Sequence, residues 1–361
     1  MIIPTDDAPE TTDMIKRLTF ASATLAAGIA QADPAALSND LQQAFDQGKL
    51  DGLHAVLVRQ NGETLAEIYF DGVDERWGQP LGSQSHGPDT LHDLRSVSKS
   101  VTGLLYGIAR DKGLVAAPDA GLLAQFPEYA DLASTERNRI TIGDALSMQM
   151  GTEWDENRPY TDPRNSEIAM ELADDRYRYV LDRPIVSEPG KTWTYSGGTT
   201  ALIAAIIAKG TDMPLDAFAK LHLFDPLGID EFEWIAGEDG IPSAASGLRL
   251  SARDLAKIGE MVAAGGTYDG QQIAASDWLK QSATPRAQLD PLRYGYHWWL
   301  SPIGDPPNWM AGFGNGGQRM SISPSVGLVI VIYAGRYNDM QAWELPLAVV
   351  NDYVAPALGL N

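Results

Sequence analysis

The chain has 361 residues, a formal net charge of −21 and no cysteine. Single cores stop growing at roughly 250 to 300 residues, so this length holds one large two-lobed domain or two ordinary ones, and either can bury a deep cleft. The missing cysteines exclude a disulfide framework, a thiolate metal site and a cysteine nucleophile. An acidic balance with no basic cluster argues against nucleic acid and anionic membrane surfaces as partners.

Residues 1–32 read as a leader. From Met14 the chain has a basic start, an apolar run from Leu18 to Ala30 and an Ala30-Gln31-Ala32 cleavage pattern, which together predict export to the periplasm. Read from Met1, the acidic stretch "TDDAPETTD" stands where a signal carries positive charge, and the expectation becomes an alanine-rich extension on a cytoplasmic protein. The apolar run is shorter than the about 20 residues of a membrane span.

Residues 33–361 read as one folded domain. Leu37, Leu41 and Phe45 have helical spacing. Two alternating apolar runs around Asn61-Gly62 then predict a β-hairpin over residues 53–70 with a type I′ turn. A Gly- and Pro-rich loop follows, and from Val101 to about residue 280 the pattern is mostly helical. The runs "YGYHWWLS", "GQRMSISP" and "GLVIVIYAGR" read as strands, and "MQAWELPLAVVNDYV" closes the chain as a helix. Strands near both ends with helices between them predict an α/β fold: a sheet lobe of residues 33–105 and 285–361, with an all-helical lobe of residues 106–284 inserted.

The stretch "LRSVSKSVTG", residues 94–103, holds three serines around one lysine. If a helix begins near Ser96, then Ser96, Lys99, Ser100, Gly103 and Gly107 share one face while Ser98 points nearly opposite. A serine that merely caps this helix is best followed three residues later by an acid or amide, yet Lys99 stands there, a cation at the positive end of the dipole. Burial and dipole repulsion would lower its pKa and leave a neutral amine beside the Ser96 hydroxyl, as a general base requires. An S-x-x-K pattern alone is weak, since about one arises by chance in a chain of this length.

Two further motifs strengthen it. "EPGKTWTYSGG" places Tyr195 at a turn before an apolar helix, and "FGNGGQ" places a glycine-rich turn before a strand. With Ser96-x-x-Lys99, Tyr195-Ser196-Gly197, residues 314–318 and scaffold-like stretches such as "FDPLGIDEFEW", residues 35–355 resemble the serine β-lactamase-like family. That family includes class C β-lactamases, family VIII esterases and 6-aminohexanoate-dimer hydrolases. The resemblance implies a β-lactamase/transpeptidase-like fold, an antiparallel sheet flanked by helices, and acyl transfer without a cofactor. In it Ser96 attacks a carbonyl and Lys99 and Tyr195 handle the proton. The Ser96 N–H and the Asn315 N–H, with Gly316 and Gly317 as alternatives, form the oxyanion hole. The tyrosine motif here ends in Gly197 rather than asparagine, and residues 313–316 carry no cation where class C enzymes have K-T-G. These departures favour a small ester or amide substrate over a β-lactam. A β-lactamase or D-amino-acid peptidase remains the alternative, and a catalytically silent ligand-binding member is the reading of another class.

Around this core the resemblance places Gly197, Gly314 and the strand carrying His297 near the substrate, although His297 among its aromatic neighbours reads first as core packing. Trp154 and Tyr160 either face the substrate or are core or rim aromatics. The acidic clusters in "GTEWDEN" and "ELADDR" read as solvated helix ends. None of the five histidines has a metal-ligand spacing such as H-E-x-x-H, so no metal is expected. A homodimer is the candidate assembly.

Overall fold

The computed structural model describes residues 34–360, so the leader lies outside the described residues. Helix α1 (Pro34–Asp46) is followed by strands β1 (Leu53–Gln60), β2 (Glu63–Tyr69), β3 (Gly72–Arg76), β4 (Gln79–Gln84) and β5 (His92–Asp93), and then by helix α2 (Val97–Asp111). Helix α3 (Gly197–Thr211), strands β6 (Glu233–Trp234) and β7 (Leu248–Leu250) and helix α4 (Ala252–Ala263) come next. A small hairpin of β8 (Thr267–Tyr268) and β9 (Gln271–Gln272) precedes β10 (Ala287–Leu289), β11 (Leu292–Tyr294), β12 (Trp299–Leu300), β13 (Met310–Gly314), β14 (Gln318–Ser323) and β15 (Leu328–Ala334).

The main sheet is antiparallel, in the order β10-β11-β12-β13-β14-β15-β1-β2. Strands from the first and last parts of the chain meet near one edge, where Val56 of β1 faces Ile332 of β15 and only β2 lies beyond. Both strands are buried for most of their length, so each carries a continuous apolar run whose side chains alternate between two cores. Val56, Val58, Ile330 and Ile332 pack with Leu37 and Leu41 of α1 and with Val350 and Val354 near the C-terminus. Ala55, Leu57, Val329 and Val331 belong to the larger core on the other face, with Val101 and Leu105 of α2 and Leu255 of α4. The β1–β2 turn has positive φ at both central residues, 50° at Asn61 and 83° at Gly62, as a type I′ turn requires.

The inserted stretch gathers around α3, whose residues Gly197–Ile207 are all buried, and its neighbours include the short helices Ile142–Leu146 and Arg176–Leu181. Residues 106–284 are nevertheless not helical throughout. β7 pairs with β5 on one side and β6 on the other, and α4 lies against β1, β14 and β15. About residues 233–263 the chain therefore returns to the sheet lobe, because the amphipathic α4 has an apolar face that the sheet buries.

The glycine face of α2 is filled by large partners. His297 packs on Gly103, and the Trp278 indole lies where a Cβ on Gly107 would stand. Trp278 Nε1 donates to the Gly103 carbonyl at 3.0 Å. Alanine at 107 gains about 1 kcal/mol of helix propensity over glycine but must displace a fully buried tryptophan. Gly107→Ala is expected to lower the unfolding free energy by about 1–3 kcal/mol. Urea denaturation checks this, and an unchanged or raised midpoint would contradict the packing.

Candidate active site

The pairing of β5 with β7 delivers the chain to the start of α2: His92 faces Leu250, Asp93 faces Arg249, and Leu94 N–H donates to the Leu248 carbonyl at 3.0 Å. The next residue, Arg95, has φ +48°, a conformation that costs a non-glycine residue about 1–3 kcal/mol and recurs at functional sites. Its guanidinium is held by Asp93 and Glu75. Ser96 then precedes the helix in an αR conformation, and its side chain makes no capping hydrogen bond. The hydroxyl is thus not consumed by the backbone. The other two serines are structural: Ser98 Oγ accepts from Leu248 N–H at 3.2 Å, and Ser100 Oγ donates to the His297 carbonyl at 2.7 Å.

Lys99 is 2% exposed, and its Nζ donates to Ser96 Oγ at 3.1 Å, Glu167 Oε2 at 3.2 Å and the Ala245 carbonyl at 3.2 Å. Three donors meet three acceptors, which is the pattern of an ammonium. Burial lowers the Lys99 pKa, but the charges of Glu167, Tyr195 and Glu156 outweigh it and hold the group above the ordinary lysine range. The neutral amine expected from dipole and burial is therefore corrected: a buried carboxylate that the sequence reading did not place keeps the cation charged.

Tyr195 stands just before α3, which Ser196 caps by accepting from Thr199 N–H at 3.3 Å. The Lys99 Nζ lies 4.9 Å from the centre of the Tyr195 ring. Burial raises the phenol pKa above its usual value, while the Lys99 charge and the neighbouring Ser96 hydroxyl act against that rise. Ser96, Lys99 and Tyr195 thus converge. The tyrosine also belongs to an aromatic wall with Trp193 at 6.0 Å and Trp299 at 6.1 Å between ring centres.

Gly197 makes room for a neighbouring carboxylate. A Cβ there would overlap the Glu167 carboxylate, so the missing side chain is what lets that carboxylate reach Lys99. Beneath it, Glu156 Oε1 accepts from Trp154 Nε1 at 2.6 Å and from Gly197 N–H, and Glu156 Oε2 accepts from the Tyr160 hydroxyl at 3.1 Å. Glu156 is raised to about 7 by burial and by the Glu167 charge. The reading of "GTEWDEN" as solvated is corrected here, since Glu156 is 5% exposed. Neither glutamate was identified as a site residue from sequence. The usable signal was the glycine at 197, which leaves a hole beside a buried lysine.

Trp154 is a buried core residue, 8% exposed. It packs under the start of α3, against Gly198 and Val180. Tyr160 lies above Glu156 and senses the charges of both glutamates, which places it at this cluster. His297 is also corrected: it lies between β11 and β12 with φ +59°, not on a strand, and is 1% exposed. Its Nδ1 faces the Leu146 carbonyl at 2.7 Å, which fixes the proton there, and its Nε2 accepts from the Thr200 hydroxyl at 2.9 Å. Burial lowers it to about 4, so it is a neutral strut between α2, α3 and the helix Ile142–Leu146.

Gly314 ends β13 against the Leu94 carbonyl and the Arg95 side chain, close enough that a Cβ would collide, so this strand end lies beside Ser96. The turn after it is fixed by Asn315, whose Oδ1 accepts from Asn338 N–H at 2.7 Å and whose Nδ2 donates to Asn338 Oδ1 at 3.2 Å. Gly317 N–H donates to the Gly314 carbonyl at 3.3 Å, and the Gly316 carbonyl accepts from Arg336. The turn hydrogen bond engages the Gly317 donor, which favours Asn315 or Gly316 for a second backbone donor. A separate cleft of about 720 Å³, lined by residues such as Arg110, Asp144, Arg286 and Tyr296, contains none of these groups.

Comparison with known proteins places this architecture. The chain is 26% identical over 324 residues to the 6-aminohexanoate-dimer hydrolase of Paenarthrobacter ureafaciens, covering 81% of this chain and 74% of the relative. Among solved structures it superposes on a family VIII carboxylesterase with a TM-score of 0.67 at 16% identity, over 90% of this chain and 98% of the other. It also superposes on a β-lactamase/D-alanine carboxypeptidase from Pseudomonas syringae with a TM-score of 0.65 at 19% identity, over 88% and 98%. At such identities the superpositions establish the β-lactamase/transpeptidase-like fold. The family model described as Beta-lactamase matches residues 37–350, and with that span of matched sequence the chain belongs to the β-lactamase family.

Proposed function

We propose that the protein is a serine hydrolase that cleaves small esters or amides through an acyl-enzyme on Ser96. The observation that carries this reading is the uncapped Ser96 hydroxyl held at 3.1 Å by a buried, charged Lys99 whose Nζ also lies 4.9 Å from the centre of the Tyr195 ring. Ser96 Oγ attacks the substrate carbonyl. Tyr195 takes the Ser96 proton while giving its phenolic proton to the leaving oxygen or nitrogen, so no phenolate has to exist at rest. The Lys99 ammonium lowers the cost of negative charge on both oxygens during this transfer. The carbonyl oxygen becomes an oxyanion received by the Ser96 N–H and, in this reading, the Asn315 N–H. Water then attacks the acyl-enzyme, gives a proton to Tyr195 as Tyr195 returns one to Ser96, and releases the acid.

A linear amide of the 6-aminohexanoate type is the first substrate to test, because a relative bearing that name matches most of both chains. A β-lactam fits less well, since residues 313–316 carry no cation to meet its carboxylate. Ser96→Ala is expected to abolish adduct formation with a fluorophosphonate, read by mass spectrometry, and to lower turnover of a p-nitrophenyl ester by about 10³-fold or more. Tyr195→Phe is expected to lower it by about 10²-fold or more. Full turnover by Ser96→Ala would overturn the mechanism. Parallel assays with an ester, a 6-aminohexanoate dimer and a cephalosporin rank the substrate classes, with the cephalosporin expected last.

Glu156 supplies a pH dependence of stability. Its folded pKa of about 7 lies above the ordinary value of 4.5, so the folded state keeps a proton that the unfolded chain has lost. That contribution is full below about 4.5 and lost as pH rises through about 7. The buried histidines 54, 92 and 297, lowered to about 3, 4 and 4, act in the opposite sense, so the test is a difference: across this window, urea unfolding of Glu156→Gln is expected to gain stability with rising pH relative to the parent chain.

A further inference from the structure

Four side chains from separate stretches meet away from the catalytic groups: His54 on β1, Asp74 on β3, His86 in the loop after β4 and His92 on β5. They are 20, 12 and 6 residues apart in sequence, which no short ligand motif describes. One nitrogen or oxygen from each lies within 4.8 Å of all the others. His54 Nδ1 stands 2.9 Å from His92 Nε2, Asp74 Oδ1 3.6 Å from His92 Nε2, and Asp74 Oδ2 3.4 Å from His86 Nε2. A tetrahedral zinc ion at ordinary bond lengths sets its ligand atoms about 3.3 Å apart, so the four atoms close on one centre with movements of about 1 Å.

The outer contacts orient the donors inward. His86 Nδ1 faces the Phe70 carbonyl at 2.8 Å and His92 Nδ1 faces the Asp93 carbonyl at 3.1 Å, so each carries its proton there and turns Nε2 to the centre. Asp74 Oδ1 already accepts from the Tyr337 hydroxyl and from Glu75 N–H, which leaves Oδ2 for the centre. All four side chains are at most 3% exposed.

We propose that His54, Asp74, His86 and His92 bind one Zn²⁺ ion in a closed, tetrahedral, structural site. Three imidazoles and one carboxylate suit zinc, and four protein ligands leave no position for a reacting water. Such an ion ties β1, β3, the loop after β4 and β5 together four residues before Ser96. Tyr337 extends the tie, because its hydroxyl holds Asp74 and the Arg95 guanidinium lies 4.9 Å over its ring. The competing occupant is a proton on His86 Nε2 that pairs with Asp74.

The test uses the full chain, stripped with a chelator and titrated with Zn²⁺ against a chromophoric competitor. The expected result is one Zn²⁺ per chain, a melting midpoint raised by several degrees, and intense visible bands of tetrahedral Co²⁺ when cobalt replaces zinc. His86→Ala, in a loop outside the two cores, and Asp74→Asn are each expected to weaken binding by about 100-fold or more and to abolish the thermal shift. No zinc bound against the competitor, an octahedral cobalt spectrum, or binding unchanged in both variants would overturn the site. None of these readouts depends on hydrolysis.

Discussion

The site is organised by one buried charge. Lys99 sits among core side chains at the positive end of a helix, where both dipole and desolvation oppose an ammonium. The carboxylate of Glu167, 3.2 Å away, is what holds that charge in place. Removing one partner of such a buried pair costs about 3–5 kcal/mol, because the survivor is stranded without water. Much of the surrounding architecture serves the pair. Asn165 caps the helix that carries Glu167, the Ala245 carbonyl takes the third Lys99 proton, and Gly197 leaves the space through which the carboxylate reaches the amine.

With the cation fixed, the rest of the proposed chemistry reduces to positioning. α2 brings Ser96 and Lys99 together by helical spacing, and α3 brings Tyr195 by beginning one residue after Ser196. His297 sets the distance between these helices through Thr200, Leu146 and the Ser100 hydroxyl. A neutral histidine suits that task because its two nitrogens make one donated and one accepted bond, with no charge to bury beside Lys99. The sheet supplies the opposite wall through Gly314, which lets the end of β13 lie against Leu94.

Features set by local chemistry were legible from sequence. The Asn61-Gly62 hairpin, the helix after Ser96 and the exclusion of Ser98 all follow from period and turn preference, and each lies where expected. The three motif residues were legible because each sits at the start of a helix or after a recognisable turn. Glu156 was not, since an acid within "GTEWDEN" looks solvated until the fold brings Gly197 and Trp154 to it. His297 was misplaced onto a strand because its neighbours are β-formers, while its own backbone turns to positive φ to join three helices. The histidines at 54, 86 and 92 are brought together only by the fold, from two strands and a loop that are separate in sequence.

Gly197 and Glu167 occupy one volume between them, the first by yielding it and the second by filling it. They therefore behave as one unit under substitution rather than two. In this chain any side chain at 197 would evict the Glu167 carboxylate, and Lys99 would be left a buried cation without its counter-charge.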